Sequence, residues 1–216
     1  PHAQCHIIPN AGFRNWKAIE PKSAGNRNIS YLAGTRTHDR DLGIVLPVLK
    51  KLLDRHEDVS LRLVGPIGVG FDHPRVKRLE RVPFDAYWEI VRDSHILIAP
   101  LEDTPFNRCK SAIKAVEGGM MNVPTVVSPV GDYGNIETLG ILHANSTEAW
   151  ESQLEFALDP ANHQTLRTGL RERMSAFADI DELALAFLQF ASAKRRLEGE
   201  GFTEIGILTG AEPELP

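Results

Sequence analysis

The chain has 216 residues, of which 42% are hydrophobic, an ordinary share for a globular protein with a sizeable core. Its formal net charge of −5 argues against nucleic-acid binding, and no hydrophobic run approaches the length of a membrane span. The two cysteines, Cys5 and Cys109, give no disulfide framework, so we expect a cytoplasmic protein whose membrane association is at most peripheral.

Residues 1–28 are rich in Pro, Asn, Gly and Lys and predict a linker or an edge segment. His2 and His6 flank Cys5, a combination that can begin a metal site. No further ligand cluster with metal spacing follows, so we predict no metal site here.

The first predicted strand, residues 29–34, ends at Gly34, and residues 42–53 then carry the apolar spacing of a helix. A glycine at a strand-to-helix turn permits a ligand to approach the backbone closely. Three basic side chains near it would then help to hold an anion: Arg36, His38 and Arg40. The alternative is that Asp39 and Asp41 simply mark the start of a helix, as acidic residues often do.

The second predicted strand, residues 59–65, leads into three closely spaced glycines. Their order is wrong for the dinucleotide fingerprint G-x-G-x-x-G, and no helix follows them. Residues 75–82 instead predict a third strand, and residues 85–93 predict a short helix with Asp85 as its cap.

The stretch from His95 to Pro129 predicts a strand, a polar loop, a helix and a second strand. Apolar runs at residues 95–100 and 123–127 suit strands buried on both faces, and residues 110–121 have helical spacing. Such a βαβ crossover places the loop and the start of the helix at the carboxyl edge of a parallel sheet. Open α/β sheets bind their ligands at that edge.

Lys110, Lys114 and Glu117 have the spacing i, i+4, i+7 and would project from one face of this helix. Two lysines in the first turns oppose the helix dipole, and a bound anion such as phosphate would explain them. The spacing supports equally well a solvated face with a Lys114–Glu117 ion pair.

The region after residue 144 predicts three helices and a loose end. We place the N-cap of the first helix at Asn145 rather than Ser146, because Glu148 would complete a capping box with Asn145. Residues 162–177 and 181–197 have the spacing of two further amphipathic helices.

Strands alternate repeatedly with helices along the chain, which predicts an α/β fold: a Rossmann-like, doubly wound parallel sheet with helices on both faces. We divide the chain into the linker or edge segment 1–28, a main domain 29–178, a C-terminal helix 179–200 and a flexible tail 201–216.

The chain contains the segments HIIPNAGF, AGTRTHDRD and IAPLEDTPFNRCKSAIKAVEGGMMNVPTVVSPVGDY. These resemble, in turn, the interdomain linker, a variant of the first-strand phosphate loop and the donor-binding stretch of the retaining glycosyltransferase family 4 (group 1). The third matches the subgroup with the signature F-N-x-x-K-S-x-x-K-x-x-E. The resemblance, which covers roughly residues 5 to 175, implies the C-terminal, donor-binding half of a GT-B glycosyltransferase.

The resemblance also implies which residues bind the donor. Glu117 matches the glutamate that holds the ribose hydroxyls, and a carboxylate can accept from two vicinal hydroxyls. The residues implied at the donor diphosphate are Gly34, Thr35, Arg36, Lys110 and Ser111. The residues implied beside the base are Val82, Pro83 and Phe84.

One departure from the family signature concerns the donor sugar. The first signature glutamate, eight positions before Glu117, is Cys109 here, and a thiol accepts only weak hydrogen bonds from a sugar. Asn107 or Lys110 would take over that contact. We therefore expect the donor sugar near Asn107 and Cys109, without predicting which sugar it is.

A second departure concerns the diphosphate. The arginine that usually follows the first-strand glycine is Thr35 here, and Arg36 or Arg40 would replace it, of which we prefer Arg36. An arginine with Lys110 could neutralise a leaving diphosphate, and no DxD-type acidic cluster stands on the right loop. We therefore expect neither a metal nor a cofactor.

The first hypothesis is thus a nucleotide-sugar-binding domain of a retaining, hexosyl-type glycosyltransferase in polysaccharide biosynthesis, using a UDP- or GDP-sugar. An N-terminal domain not included here would hold the acceptor, a glycan or a lipid-linked sugar, and the catalytic residues, so this fragment alone would be inactive. Two alternatives stay open. One is a non-catalytic nucleotide-sugar-binding or scaffolding module, and the other is half of a GT-B-like nucleotide-sugar epimerase.

Overall fold

The computed structural model describes residues 10, 19–21, 27–35 and 38–197. Several predictions fall outside these residues: the absence of a metal site at His2, Cys5 and His6, most of the linker segment with HIIPNAGF, the role of Arg36 at the diphosphate, and the tail 201–216. The chain divides into two compact units, residues 1–180 and 181–216.

The described residues of the first unit contain six parallel strands. They are β1 (Arg27–Leu32), β2 (Val59–Val64), β3 (Val76–Leu79), β4 (Ile96–Ala99), β5 (Thr125–Val127) and β6 (Ile141–His143). Their spatial order is β3-β2-β1-β4-β5-β6, the order of a doubly wound Rossmann sheet. The predicted fold class is confirmed.

Within the part of this unit that the structure describes, seven α-helices connect these strands or follow them. They are α1 (Asp39–Gly43), α2 (Leu46–Arg55), α3 (Phe84–Arg92), α4 (Ile113–Met120), α5 (Thr147–Leu158), α6 (Pro160–Arg167) and α7 (Leu170–Phe177). The helix predicted over residues 181–197 is present as α8 (Ile180–Leu197), which belongs almost entirely to the second unit. No helix in the described part of the chain has the length and apolar character needed to cross a membrane.

Helices cover both faces of the sheet. Alternate residues of each strand point to opposite faces and pack against different helices. Ile29 and Tyr31 of β1 belong to one buried cluster, which includes Trp150 of α5. Leu32 belongs to the other cluster, which includes Val116 of α4. The central strand β4 is buried along its whole length, as the continuous apolar run predicted.

Two predicted helices are each divided in the structure. The helix predicted over residues 42–53 is replaced by α1 and α2, and the second begins at Leu46 with Pro47 in its first turn, where a missing N–H costs no hydrogen bond. The helix predicted over 162–177 is interrupted between α6 and α7. Gly169 there has a φ of 66°, a left-handed conformation that glycine adopts without steric strain.

Two predicted helix caps were wrong. Ser146, not Asn145, caps α5, because its hydroxyl accepts a hydrogen bond from the Ala149 N–H at 3.1 Å. Helix α3 begins at Phe84, directly after Pro83, so Asp85 lies within its first turn rather than at its cap. Pro83 has a fixed, extended backbone, and the helix starts directly after it, one residue earlier than the sequence pattern indicated.

Candidate functional site

A cleft of about 390 Å³ opens at the carboxyl ends of β1 and β4. These two neighbours lie where the strand order of the sheet reverses, which is the usual ligand-binding position in open α/β sheets. The strand ends and Tyr133 line its apolar side. The polar side is formed by Gly34, His38, Lys110, Ser111 and Lys114. Three residues predicted at a diphosphate, Gly34, Lys110 and Ser111, therefore line one cavity.

Gly34 lies two residues beyond the end of β1 at Leu32, with Thr35 next to it. A Cβ atom added to Gly34 would meet no heavy atom within 4 Å, so the space beside this backbone is open. Open space at a strand end is what close approach of a ligand to the backbone requires. Ser111, across the cleft, accepts a hydrogen bond at 2.7 Å from the side-chain amide of Asn10, within the segment that resembles the interdomain linker.

Lys110 does not lie on the helix that the sequence predicted. Helix α4 begins only at Ile113, and Lys110 has an extended backbone with φ −78° and ψ 136°. It follows a 3₁₀ turn over Asn107–Cys109, which the Lys110 N–H closes by donating to the Asn107 carbonyl at 3.0 Å. The prediction of one helical face shared by Lys110, Lys114 and Glu117 was therefore wrong.

Asp41 instead fixes the position of Lys110. Its buried carboxylate, whose side chain is 3% exposed, has the Lys110 Nζ at 3.2 Å and the His38 Nδ1 at 3.1 Å from Oδ2. The other oxygen, Oδ1, accepts from the Glu102 N–H at 2.9 Å and from the Asn107 Nδ2 at 2.7 Å. Four donors, one from His38 and three from the loop over residues 102–110, thus converge on one carboxylate.

The pKa of Asp41 lies below its ordinary value. Burial by itself raises this pKa, but hydrogen bonds with His38, the Glu102 N–H and Lys110 outweigh that effect. Asp41 is therefore ionised at neutral pH, and its charge holds Lys110 and His38 at the cleft. Sequence reasoning did not identify this role: Asp41 stands in the first turn of α1, as the alternative interpretation held, and its partners Glu102, Asn107 and Lys110 come from a distant loop.

The residues predicted at the donor sugar do not line the cleft. Asn107 is 5% exposed, and its amide also donates to the Glu102 carbonyl at 2.9 Å, so this side chain stabilises the loop. Cys109 is exposed, with its Sγ 3.4 Å from the Pro105 carbonyl. Their proximity to a sugar remains a prediction.

Glu117 lies in a buried polar cluster with Tyr87 and Lys114. Glu117 is 8% exposed, and its Oε2 accepts both from the Lys114 Nζ at 2.9 Å and from the Tyr87 hydroxyl. The Lys114 Nζ also lies 2.6 Å from that hydroxyl. The predicted Lys114–Glu117 pair therefore exists, but in a largely buried cluster and not on a solvated face. Lys114 lines the cleft, whereas Glu117 and Tyr87 are not among its lining residues.

The segment predicted beside the base, Val82 to Phe84, connects β3 to α3 at the same edge of the sheet. Phe84 is 64% exposed, and its ring packs edge-on against Trp88 at 5.5 Å between ring centroids. Tyr87 lies three residues after Phe84 on α3. Tyr87 therefore connects the predicted base segment to Glu117, the predicted ribose residue.

Within the described residues, no group of three or more histidine, cysteine, aspartate or glutamate side chains is arranged to hold a metal ion. Two lysines, Lys110 and Lys114, line the cleft, and the Arg81 guanidinium donates to the carbonyl of Gly34 at 3.1 Å.

No family model and no curated protein matches this sequence. Solved structures do match its fold. Anabaena HepE in complex with UDP-glucose aligns with a TM-score of 0.61 at 13% identity, over 79% of this chain and 50% of HepE. A UDP-forming α,α-trehalose-phosphate synthase from Burkholderia xenovorans aligns with a TM-score of 0.59 at 16% identity, over 82% and 45% of the two chains.

A glycosyltransferase from Rickettsia africae aligns with a TM-score of 0.60 at 17% identity, over 82% of this chain and 50% of that one. At these identities the likeness concerns the fold alone: a Rossmann-like sheet of the kind found in GT-B proteins. The chain spans about half the length of the structures that it matches.

Proposed function

We propose that this chain is the donor-binding, C-terminal domain of a retaining glycosyltransferase of family 4, which takes a UDP- or GDP-sugar. The observation that carries the proposal is the cleft at the β1–β4 switch point, where Gly34, Lys110 and Ser111 meet. Structures with the same fold hold UDP-glucose or are named for forming UDP.

The charges of the cleft suit a diphosphate. The Lys110 ammonium has three donors, and its contact with Asp41 leaves others for phosphate oxygens. Ser111 adds a hydroxyl, and the open backbone at Gly34 allows a phosphate to approach closely. In the proposed reaction the bond between the anomeric carbon and the diphosphate breaks, and Lys110 stabilises the negative charge on the leaving group.

The remaining parts of the proposal concern the whole protein. A bond from the anomeric carbon to the oxygen of an acceptor hydroxyl forms with retention of configuration, and the hydroxyl proton is released with the nucleoside diphosphate. A second, N-terminal domain supplies the acceptor site and the catalytic residues. We propose a glycan or a lipid-linked sugar as the acceptor, in cytoplasmic polysaccharide biosynthesis. The half-length match to the solved structures supports such a second domain.

Calorimetric titration of the 216-residue chain with UDP, GDP, uridine and guanosine tests the proposal. We expect one of the two diphosphates to bind, and to bind more tightly than its nucleoside. On the same preparation, the chain should transfer no sugar from the matching nucleotide sugar to glycan acceptors. Binding of neither diphosphate would overturn the proposal, and sustained transfer by this chain would refute the requirement for a second domain.

A non-catalytic binding module would give the same titration result. The full-length protein separates the two cases, because only a glycosyltransferase consumes the nucleotide sugar and releases the nucleoside diphosphate in step with acceptor glycosylation.

A further inference from the structure

Tyr87 belongs to the buried cluster that surrounds Glu117, and no sequence signal pointed to it. Its hydroxyl donates to the Glu117 Oε2 and lies 2.6 Å from the Lys114 Nζ. Two donors from two different helices, α3 and α4, thus converge on one oxygen of the carboxylate. The other oxygen, Oε1, has no hydrogen-bond partner among the described residues.

The Tyr87 side chain is held in place on several sides. The Tyr87 ring packs edge-on against Trp88 with 5.2 Å between ring centroids. The Lys114 Nζ lies 4.8 Å from the centroid of the Tyr87 ring. Burial raises the pKa of the phenol, and the Glu117 charge raises it further, so the hydroxyl keeps its proton. With Lys114 as its donor, the hydroxyl gives this single proton to Glu117.

We infer that Tyr87 is a positioning residue for the nucleotide ribose: it fixes the Glu117 carboxylate so that Oε1 accepts from the ribose hydroxyls. The inference rests on the proposed function. A carboxylate locked before binding loses little conformational freedom when the ligand arrives, and this saving raises affinity. Tyr87 therefore acts on the ribose through Glu117 without touching the ribose itself.

Calorimetric measurement of the affinities for UDP and 2′-deoxy-UDP tests this role, in the unmodified chain and in Tyr87→Phe. If the unmodified chain binds only GDP, then GDP and 2′-deoxy-GDP are used. Phenylalanine keeps the ring contact with Trp88 and removes only the hydroxyl. We expect UDP affinity to fall about 3- to 10-fold, the equivalent of one hydrogen bond, and 2′-deoxy-UDP affinity to fall less. In a Glu117→Gln background the same substitution should lose most of its effect on UDP.

Tyr31→Phe is the matched control, because the Tyr31 hydroxyl is also buried but donates to the His38 carbonyl at 3.1 Å. It should change both affinities by the same factor. If Tyr87→Phe remains folded and changes both affinities equally, or changes neither, Tyr87 does not position Glu117, while the proposed function stands. If the unmodified chain binds neither UDP nor GDP, the proposed function fails and the inference fails with it.

Discussion

The Lys110 ammonium lies 3.2 Å from the buried carboxylate of Asp41, although 69 residues separate the two in the sequence. This ion pair, rather than a helical face, places a positive charge at the cleft. Asp41 also accepts from Glu102 and Asn107, so the same carboxylate anchors the loop that carries Lys110. Both the free energy of unfolding and the affinity for the ligand should therefore depend on Asp41.

Asp41→Asn tests this dependence. The amide cannot accept from all four donors, so a buried network is left partly unsatisfied. We expect the free energy of unfolding, measured with denaturant, to fall by about 1.5–3 kcal/mol, the range for hydrogen bonds to a charged group. Asp54→Asn, which removes an exposed charge paired with Lys50, is the control and should leave stability unchanged. Equal effects of the two substitutions would contradict the role of Asp41.

Lys110→Ala separates binding of the diphosphate from binding of the nucleoside. Removing the ammonium should weaken UDP or GDP binding by roughly 1.5–3 kcal/mol and leave the nucleoside unaffected, because only the diphosphate carries the charge. Lys50→Ala, an exposed lysine on α2, is the control. Equal losses for the nucleoside and the diphosphate would show that Lys110 serves the loop and not the ligand.

His95 makes stability depend on pH. Its ring is 8% exposed and stacks on His163 at 3.6 Å between centroids. Burial, together with the nearby His163, Arg27 and Arg167, lowers the pKa of His95 to about 3. The unfolded chain binds this proton near pH 6.5. Protonation therefore favours the unfolded state between these two values, and stability is lost as the pH falls from 6.5 toward 3.

Denaturation curves at a series of pH values measure this loss. A single histidine of this kind contributes a slope of roughly 1 kcal/mol per pH unit in that window. His95→Phe keeps a stacked ring and removes the proton site, so its slope should be shallower than that of the unmodified chain. An unchanged slope would place the acid sensitivity at other groups.

Gly131→Ala probes the packing of the loop that carries Lys110. Gly131 has a φ of 58°, and an added Cβ would lie 2.7 Å from the Arg108 carbonyl oxygen. The strained backbone and this contact should lower stability by about 1–3 kcal/mol. Gly43→Ala on α1, where an added Cβ meets nothing within 4 Å, is the control and should be neutral or slightly stabilising. Thermal unfolding of both variants checks the expectation.

The fold was predictable because its signals are local. The apolar run of β4 is buried along its whole length, and a strand was correctly predicted before Gly34, although β1 ends two residues earlier, at Leu32. The position of the cleft followed from this alternation, since carboxyl ends of parallel strands share one edge. Gly34, Lys110 and Ser111 were thereby assigned to one site from motif and topology together.

The contacts that organise the site were not predictable, because they join distant segments. Asp41 has the sequence context of an ordinary first-turn aspartate, and its partners Glu102, Asn107 and Lys110 become neighbours only in the fold. Tyr87 reaches Glu117 from another helix, 30 residues away. Helical spacing suggested one face shared by Lys110 and Lys114. In the structure a 3₁₀ turn over Asn107–Cys109 precedes Lys110, and Asn107 in this turn contacts the distant Asp41, which local spacing does not reveal.

The central claim is that this chain binds a nucleotide with Glu117 at the ribose, and a thermodynamic cycle between Glu117→Gln and the ribose 2′-hydroxyl tests it most directly. Affinities of UDP and 2′-deoxy-UDP, or of the guanine pair, are measured for the unmodified chain and the variant. We predict that the substitution weakens the ribonucleotide by roughly 1.5–3 kcal/mol and the 2′-deoxynucleotide by clearly less. Equal losses for the two nucleotides would contradict the claim, and a lower melting temperature without ligand would then assign Glu117 to structural pairing with Lys114 and Tyr87.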